Sequence, residues 1–148
     1  MKDIDKGYKD IIKKLQALKG KTLQAGILPG AGTNDETGEL IADYASANEY
    51  GIGVPERSFL RSTSNEQGEK WNSQLNNIVD KVIENKPVNI DVAVGLVGTE
   101  MVKDIVEKIN SNIWPPNSDA TIAKKKSSRT LIDTGIMRRA IKYKIVDK

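Results

Sequence analysis

A chain of 148 residues suffices for one domain with a buried core. It contains neither Cys nor His, which argues against disulfides, thiolate chemistry, Cys- or His-built zinc and haem sites, and Ser-His or Cys-His catalysis. Seven aromatic residues are too few for a base-stacking platform, and the net charge of +3 is unevenly placed. Residues 112–148 carry nine Lys or Arg against three Asp, hence +6, while residues 1–111 sum to −3. Such asymmetry fits a nucleic-acid face, packing between unlike surfaces of two copies, or a solvated tail.

The first residues, Met1-Lys2-Asp3-Ile4-Asp5, are charged and lack an apolar stretch, so no secretory signal is expected. Ile4, Tyr8, Ile11, Leu15 and Leu18 then step by four and three, predicting an amphipathic helix over about 3–18 that ends at Gly20. Over 21–28 the pattern changes to alternation, with Leu23, Ala25 and Ile27 on one side, which predicts a strand with one buried face. Residues 29–38 collect Gly, Asn, Thr, Asp and Pro and predict an exposed mobile loop. Its Gly30-Ala31-Gly32-Thr33 lacks the glycine spacing and the Lys-Ser/Thr ending of a phosphate loop.

A short helix over 39–50 follows from Ile41, Tyr44, Ala45 and Asn48 on one face, with Gly51 as its left-handed terminator. Val54-Pro55 must run extended, because proline disfavours the α region for its predecessor. Phe59, the sole Phe, stands between Arg57 and Arg61. Trp71, Leu75, Ile78, Val79, Val82 and Ile83 predict a helix over 63–85, stopped before Pro87. Val94, Val97, Met101, Ile105 and Ile109 predict another over 89–110. Gly95 and Gly98 inside it would each cost about 1 kcal/mol relative to Ala, so close approach of another backbone is expected there. The run Ala93-Val94-Gly95-Leu96-Val97-Gly98 is the longest apolar one and far too short to span a bilayer.

Residues 111–130 show no periodicity and are expected to form a long mobile loop. Asp133 can cap a short helical turn starting near Gly135. Ile141, Tyr143 and Ile145 alternate again, predicting a strand over 141–146 whose natural partner is 21–28. The expected fold is therefore α+β: one domain, a small antiparallel or mixed sheet covered by several helices.

Four groupings bear on chemistry. Leu131-Ile132-Asp133-Thr134-Gly135 has the form of an aspartic-protease loop, but that chemistry needs two such aspartates in a β-rich body with further strands after the loop. Glu49 and Glu56 could be a carboxylate pair for glycoside hydrolysis, without any other sign of a sugar cleft. Trp114-Pro115-Pro116 reads as a plug for the domain's own core or an anchor on a partner. The basic set Lys124, Lys125, Lys126, Arg129, Arg138, Arg139, Lys142 and Lys144 can neutralise phosphates without reading sequence. Contact with an acidic subunit surface is the other reading of that set.

Two stretches carry a family resemblance. Ile41-Ala42, Asn48-Glu49-Tyr50-Gly51 and Pro55-Glu56-Arg57-Ser58-Phe59-Leu60-Arg61 form the first. Trp114-Pro115-Pro116-Asn117, Thr121-Ile122, Lys125-Lys126 and Leu131-Ile132-Asp133-Thr134-Gly135-Ile136-Met137-Arg138 form the second, about 60 residues later. In this order they resemble the neck and tail-completion proteins of long-tailed bacteriophages and prophages, the virion-morphogenesis or minor-tail-component group. The sequence departs from that pattern at Glu56 and Ser58, where a small residue and a proline are commoner.

The resemblance implies a structural virion protein that is not an enzyme and has no cofactor or metal. It would act in head–tail joining or tail completion, as a homo-oligomeric ring of six copies contacting the tail tube and the head–tail connector. Its expected location is the host bacterial cytoplasm during assembly and then the virion, with no membrane contact. Interface residues would be Glu49, Tyr50, Pro55, Arg57, Phe59, Arg61, Trp114, Thr121, Lys125, Lys126, Asp133, Thr134, Gly135 and Arg138. Phe59 is expected to be mainly core, with Arg57 and Arg61 as surface groups facing a neighbour. Lys124, Lys125, Lys126, Arg129 and Arg139 could face DNA non-specifically. The alternative is a nucleic-acid-binding accessory protein using the basic C-terminal segment.

Overall fold

The computed structural model describes residues 7–35, 37–125, 128–132 and 135–147. Eight elements follow one another: α1 Tyr8–Lys19, β1 Lys21–Ile27, α2 Ile41–Tyr50, α3 Phe59–Ile83, α4 Ile90–Asn110, α5 Asp119–Lys125, α6 Ile136–Arg139 and β2 Ile141–Asp147. The fold is α+β, as the periodicities predict.

The two alternating runs pair with each other. β1 and β2 are antiparallel in a register that runs from Lys21↔Asp147 to Ile27↔Ile141. Period-two alternation puts Leu23, Ala25 and Ile27 on the same face as their partners Ile145, Tyr143 and Ile141. That face meets the helices, while Gln24, Lys142 and Lys144 are exposed.

α3 and α4 form an antiparallel helical pair beside the sheet. Trp71 donates its indole N–H to Asp104 at 2.7 Å, and Lys70 reaches the same carboxylate at 2.6 Å, linking the pair midway. Asn89 opens α4 as its N-cap, its side chain accepting from Val92 N–H at 3.2 Å. One apolar cluster joins Trp71, Ile78, Val94 and Val97 and takes Leu23 and Ile145 from the sheet. A second joins Ala45, Phe59, Ile105, Ile109, Leu131, Met137 and Ile141. Phe59 is wholly buried there, as expected of a core residue.

Five expectations change. α1 begins at Tyr8 and not near 3, because Gly7 before it is left-handed at φ 91°; Ile4 of the expected stripe lies outside the described residues. α3 begins at Phe59, one turn before the expected 63. The 111–130 segment contains the helix α5. Gly95 and Gly98 accommodate a side chain, the Tyr143 ring of β2, and not another backbone. A Cβ on Gly98 would lie 2.6 Å from Tyr143 Cγ and 3.0 Å from Leu23 Cδ1. The N-cap of α6 is Gly135, at φ 75°, while Asp133, the expected cap, lies outside the described residues.

Candidate functional site

α2 stops at Gly51, whose φ of 70° and ψ of 36° are left-handed, and Ile52 N–H reaches back to Ala47 O at 2.8 Å. A Cβ on Gly51 would stand 3.2 Å from Glu56 N, so a side chain here would crowd the fold-back in a conformation that glycine adopts most easily. The fold-back brings Arg57 N–H to Asn48 O at 2.7 Å and sets Glu49 beneath the start of α3.

Ser58, the N-cap of α3, makes no side-chain capping bond. Glu49 takes over that role from the preceding helix. Its two carboxylate oxygens accept the N–H groups of Leu60 and Arg61, both at 2.9 Å. A carboxylate at a helix N-terminus also meets the positive end of the helix dipole. Arg61 closes over it, with Nε 3.2 Å from Glu49 Oε1 and Nη2 2.6 Å from Glu49 O and 2.7 Å from Glu56 Oε1. The same guanidinium stacks 4.8 Å above the Tyr50 ring. Glu49, buried to 3% exposure, is thus fully satisfied by donors of its own chain.

Arg57 is equally buried, at 3% exposure, and turns the other way. Its Nη1 donates to Asn48 Oδ1 at 2.8 Å and its Nε to Pro115 O at 3.1 Å. Nη2 donates to Pro116 O at 3.3 Å and to Asn117 Oδ1 at 3.1 Å. Asn117 in turn donates to Arg129 O at 3.2 Å, and Asn112 Oδ1 accepts from Thr130 N–H at 3.2 Å. Burial lowers the affinity of Arg57 for its proton. Beside this clamp lies an open cleft of about 520 Å³, lined by residues that include Asn48, Pro55, Arg57, Ser118, Thr121 and Thr130.

Glu49, Tyr50, Arg57, Phe59 and Arg61 are therefore brought together, and Trp114 joins them at the edge of the Phe59 cluster. Pro55 and Thr121 line the cleft. The expectation that Arg57 is a surface group is overturned: carbonyl and amide oxygens from across the chain bury it. Glu49 and Phe59 are also consumed internally, whereas Tyr50 is 60% exposed and the Arg61 side chain 48%. Arg138 lies apart from the cleft-lining residues, donating to Asn110 Oδ1 at 3.0 Å. Gly135 is buried, Lys125 ends α5, and Lys124, Arg129 and Arg139 are exposed. Lys126, Asp133 and Thr134 lie outside the described residues.

Sequence reading missed Asn48 and Asn117 as polar partners of Arg57. Their signal was present in the Asn-Glu-Tyr-Gly and Trp-Pro-Pro-Asn motifs, but nothing local joins the two. Among the described residues, no group of three or more Asp or Glu could hold a metal ion, and no helix is long and apolar enough to cross a membrane. Comparison with protein-family models, curated proteins and solved structures returned no match.

Proposed function

We propose that this chain is a structural protein of a tailed phage or prophage particle, acting in head–tail joining or tail completion by assembling into a ring of copies. The reading starts from the two motif stretches. One observation carries it further: Arg57 of the first stretch grips Pro115, Pro116 and Asn117 of the second. The two stretches thus act as a single unit. Their buried polar groups are occupied in holding backbone, and three large apolar side chains stand beside them in solvent, among the exposed Glu56 and Arg61. Tyr50, Ile52 and Val54 are 60%, 65% and 39% exposed on a loop anchored at both ends. Apolar side chains turned to solvent suit docking on another protein surface better than they suit chemistry.

Mass spectrometry of purified particles from the producing strain tests this reading. The protein is expected in stoichiometric amounts, and its deletion should leave heads and tails unjoined. Absence from the particles would overturn it.

The exposed Lys142 and Lys144, on the sheet face turned from the helices, give nucleic-acid contact a specific footing. Such binding would be weak, blind to sequence and steeply salt-dependent. Tight binding to one duplex sequence at physiological salt would favour the accessory-protein alternative.

A further inference from the structure

The Arg57 guanidinium is a buried positive charge whose partners among the described residues are neutral oxygens. Asn48, Pro115, Pro116 and Asn117 occupy four of its five N–H groups, leaving one hydrogen on Nη1. Among the described residues no carboxylate forms an ion pair with it. A buried charge without a counter-charge is costly, and Arg57 lines a cleft open to solvent. The Ser118 and Thr121 hydroxyls, on the same wall, are hydrogen-bonded to each other at 2.9 Å, which leaves one hydroxyl hydrogen of the pair to donate to an incoming acceptor.

The complementary group lies elsewhere on the chain. The connection between β1 and α2 is pinched by the bridge Thr33↔Leu40, with Asn34 N–H on Glu39 O and Gly38 N–H on Asn34 O, each at 2.8 Å. Asp35 and Glu39 are exposed there, Glu36 between them lies outside the described residues, and residues 29–40 contain no Lys or Arg. The turn enters α2 at its N-terminus, whereas Asn48 and Arg57 sit at its C-terminus. Leu40 and Asn48 are eight residues apart, about 12 Å at 1.5 Å per residue, and the described residues lining the cleft include none from 29–40, so a chain's own turn does not fill its own cleft.

We propose that the cleft beside Arg57 is a carboxylate socket that receives the acidic 33–40 turn of a second copy, with Asp35 as the entering group. Turn and socket are different surfaces, so the contact is heterologous and passes from copy to copy, as a ring requires. This inference rests on the assembly reading above and names its contact.

The absence of native cysteine makes a direct test possible. Full-length Asp35→Cys and Thr121→Cys chains are mixed at high concentration and oxidised, and disulfide-linked heterodimers are followed by mass. They should form about tenfold faster than when Lys13→Cys replaces either variant, because docking raises the local thiol concentration. Equal rates would overturn the socket. Light scattering on the same concentration series gives the second readout. Asp35→Lys should weaken association and the added Thr121→Glu should restore it; failure of Asp35→Lys to weaken association overturns the proposal. Association that persists while the cysteine pair fails to link places the interface elsewhere and leaves the assembly reading standing. A lack of association at every concentration, together with absence from particles, removes both.

Discussion

Glu49 and Arg61 are joined through both main chain and side chain: the Glu49 carboxylate accepts Arg61 N–H at 2.9 Å, and the Arg61 guanidinium donates to Glu49 O at 2.6 Å. The end of α2 and the beginning of α3 are thereby locked at a fixed angle. Glu49→Ala should remove the carboxylate that caps α3 and cost about 2 kcal/mol, measured by denaturant unfolding. Glu49→Gln should cost about half as much, since its amide keeps one accepting oxygen. Arg61→Ala, whose side chain is half exposed, should have the smaller effect of the two arginine changes.

Arg57→Ala leaves four oxygens without a donor and should destabilise by about 2–4 kcal/mol, discounted for water entering the open cleft. Arg57→Lys should recover little of this, because an ammonium cannot serve the planar fork. Amide exchange at the 112–118 segment is the specific readout. It should accelerate in both variants more than exchange in the middle of α4 does.

Phe59→Ala and Ile52→Ser separate fold from assembly. The first empties a wholly buried site and should cost about 3–5 kcal/mol. The second changes a side chain 65% exposed and should alter stability by less than about 0.5 kcal/mol. If the 50–54 loop docks on a neighbour, Ile52→Ser should nevertheless reduce association in light scattering. Unchanged association would remove that loop from the interface.

Gly98→Ala pits two effects against each other. Alanine gains about 1 kcal/mol of helix propensity, while forcing a methyl against Tyr143 and Leu23 costs about 1–3 kcal/mol. The net outcome should be a lower melting temperature. At Gly95 the nearest atom is the Tyr143 hydroxyl oxygen, 3.2 Å from a Cβ, at the end of a movable side chain. Gly95→Ala should therefore be close to neutral, and Gly98→Ala combined with Tyr143→Ala should recover much of the loss.

The sheet and the four longer helices were legible because their apolar periods are long and unambiguous. Leu23, Ala25 and Ile27 and the run Ile141, Tyr143, Ile145 were the only strongly alternating segments, so they had only each other to pair with. The start of α3 was hidden because its cap comes from Glu49 on another helix and not from Ser58. α5 was hidden because seven residues with Ile122 as the single large apolar side chain show no period. Arg57 was misjudged for a related reason. Its partners Pro115, Pro116 and Asn117 lie 58–60 positions away and are carbonyl and amide oxygens, which no charge pattern reveals.

The pairing of β1 with β2 also sets an order of events during folding. Ile27 and Ile141 are directly opposed yet more than a hundred positions apart, so closing that loop carries a large entropic penalty and comes late. On the ribosome, β1 emerges early with Leu23, Ala25 and Ile27 uncovered and waits through the synthesis of α2 to α6 before its partner exists. The α3–α4 hairpin, whose contacts are nearer in sequence, can form in that interval and offer those side chains a surface. The Tyr143 ring, seated against Gly98, then arrives as one of the last pieces of the core.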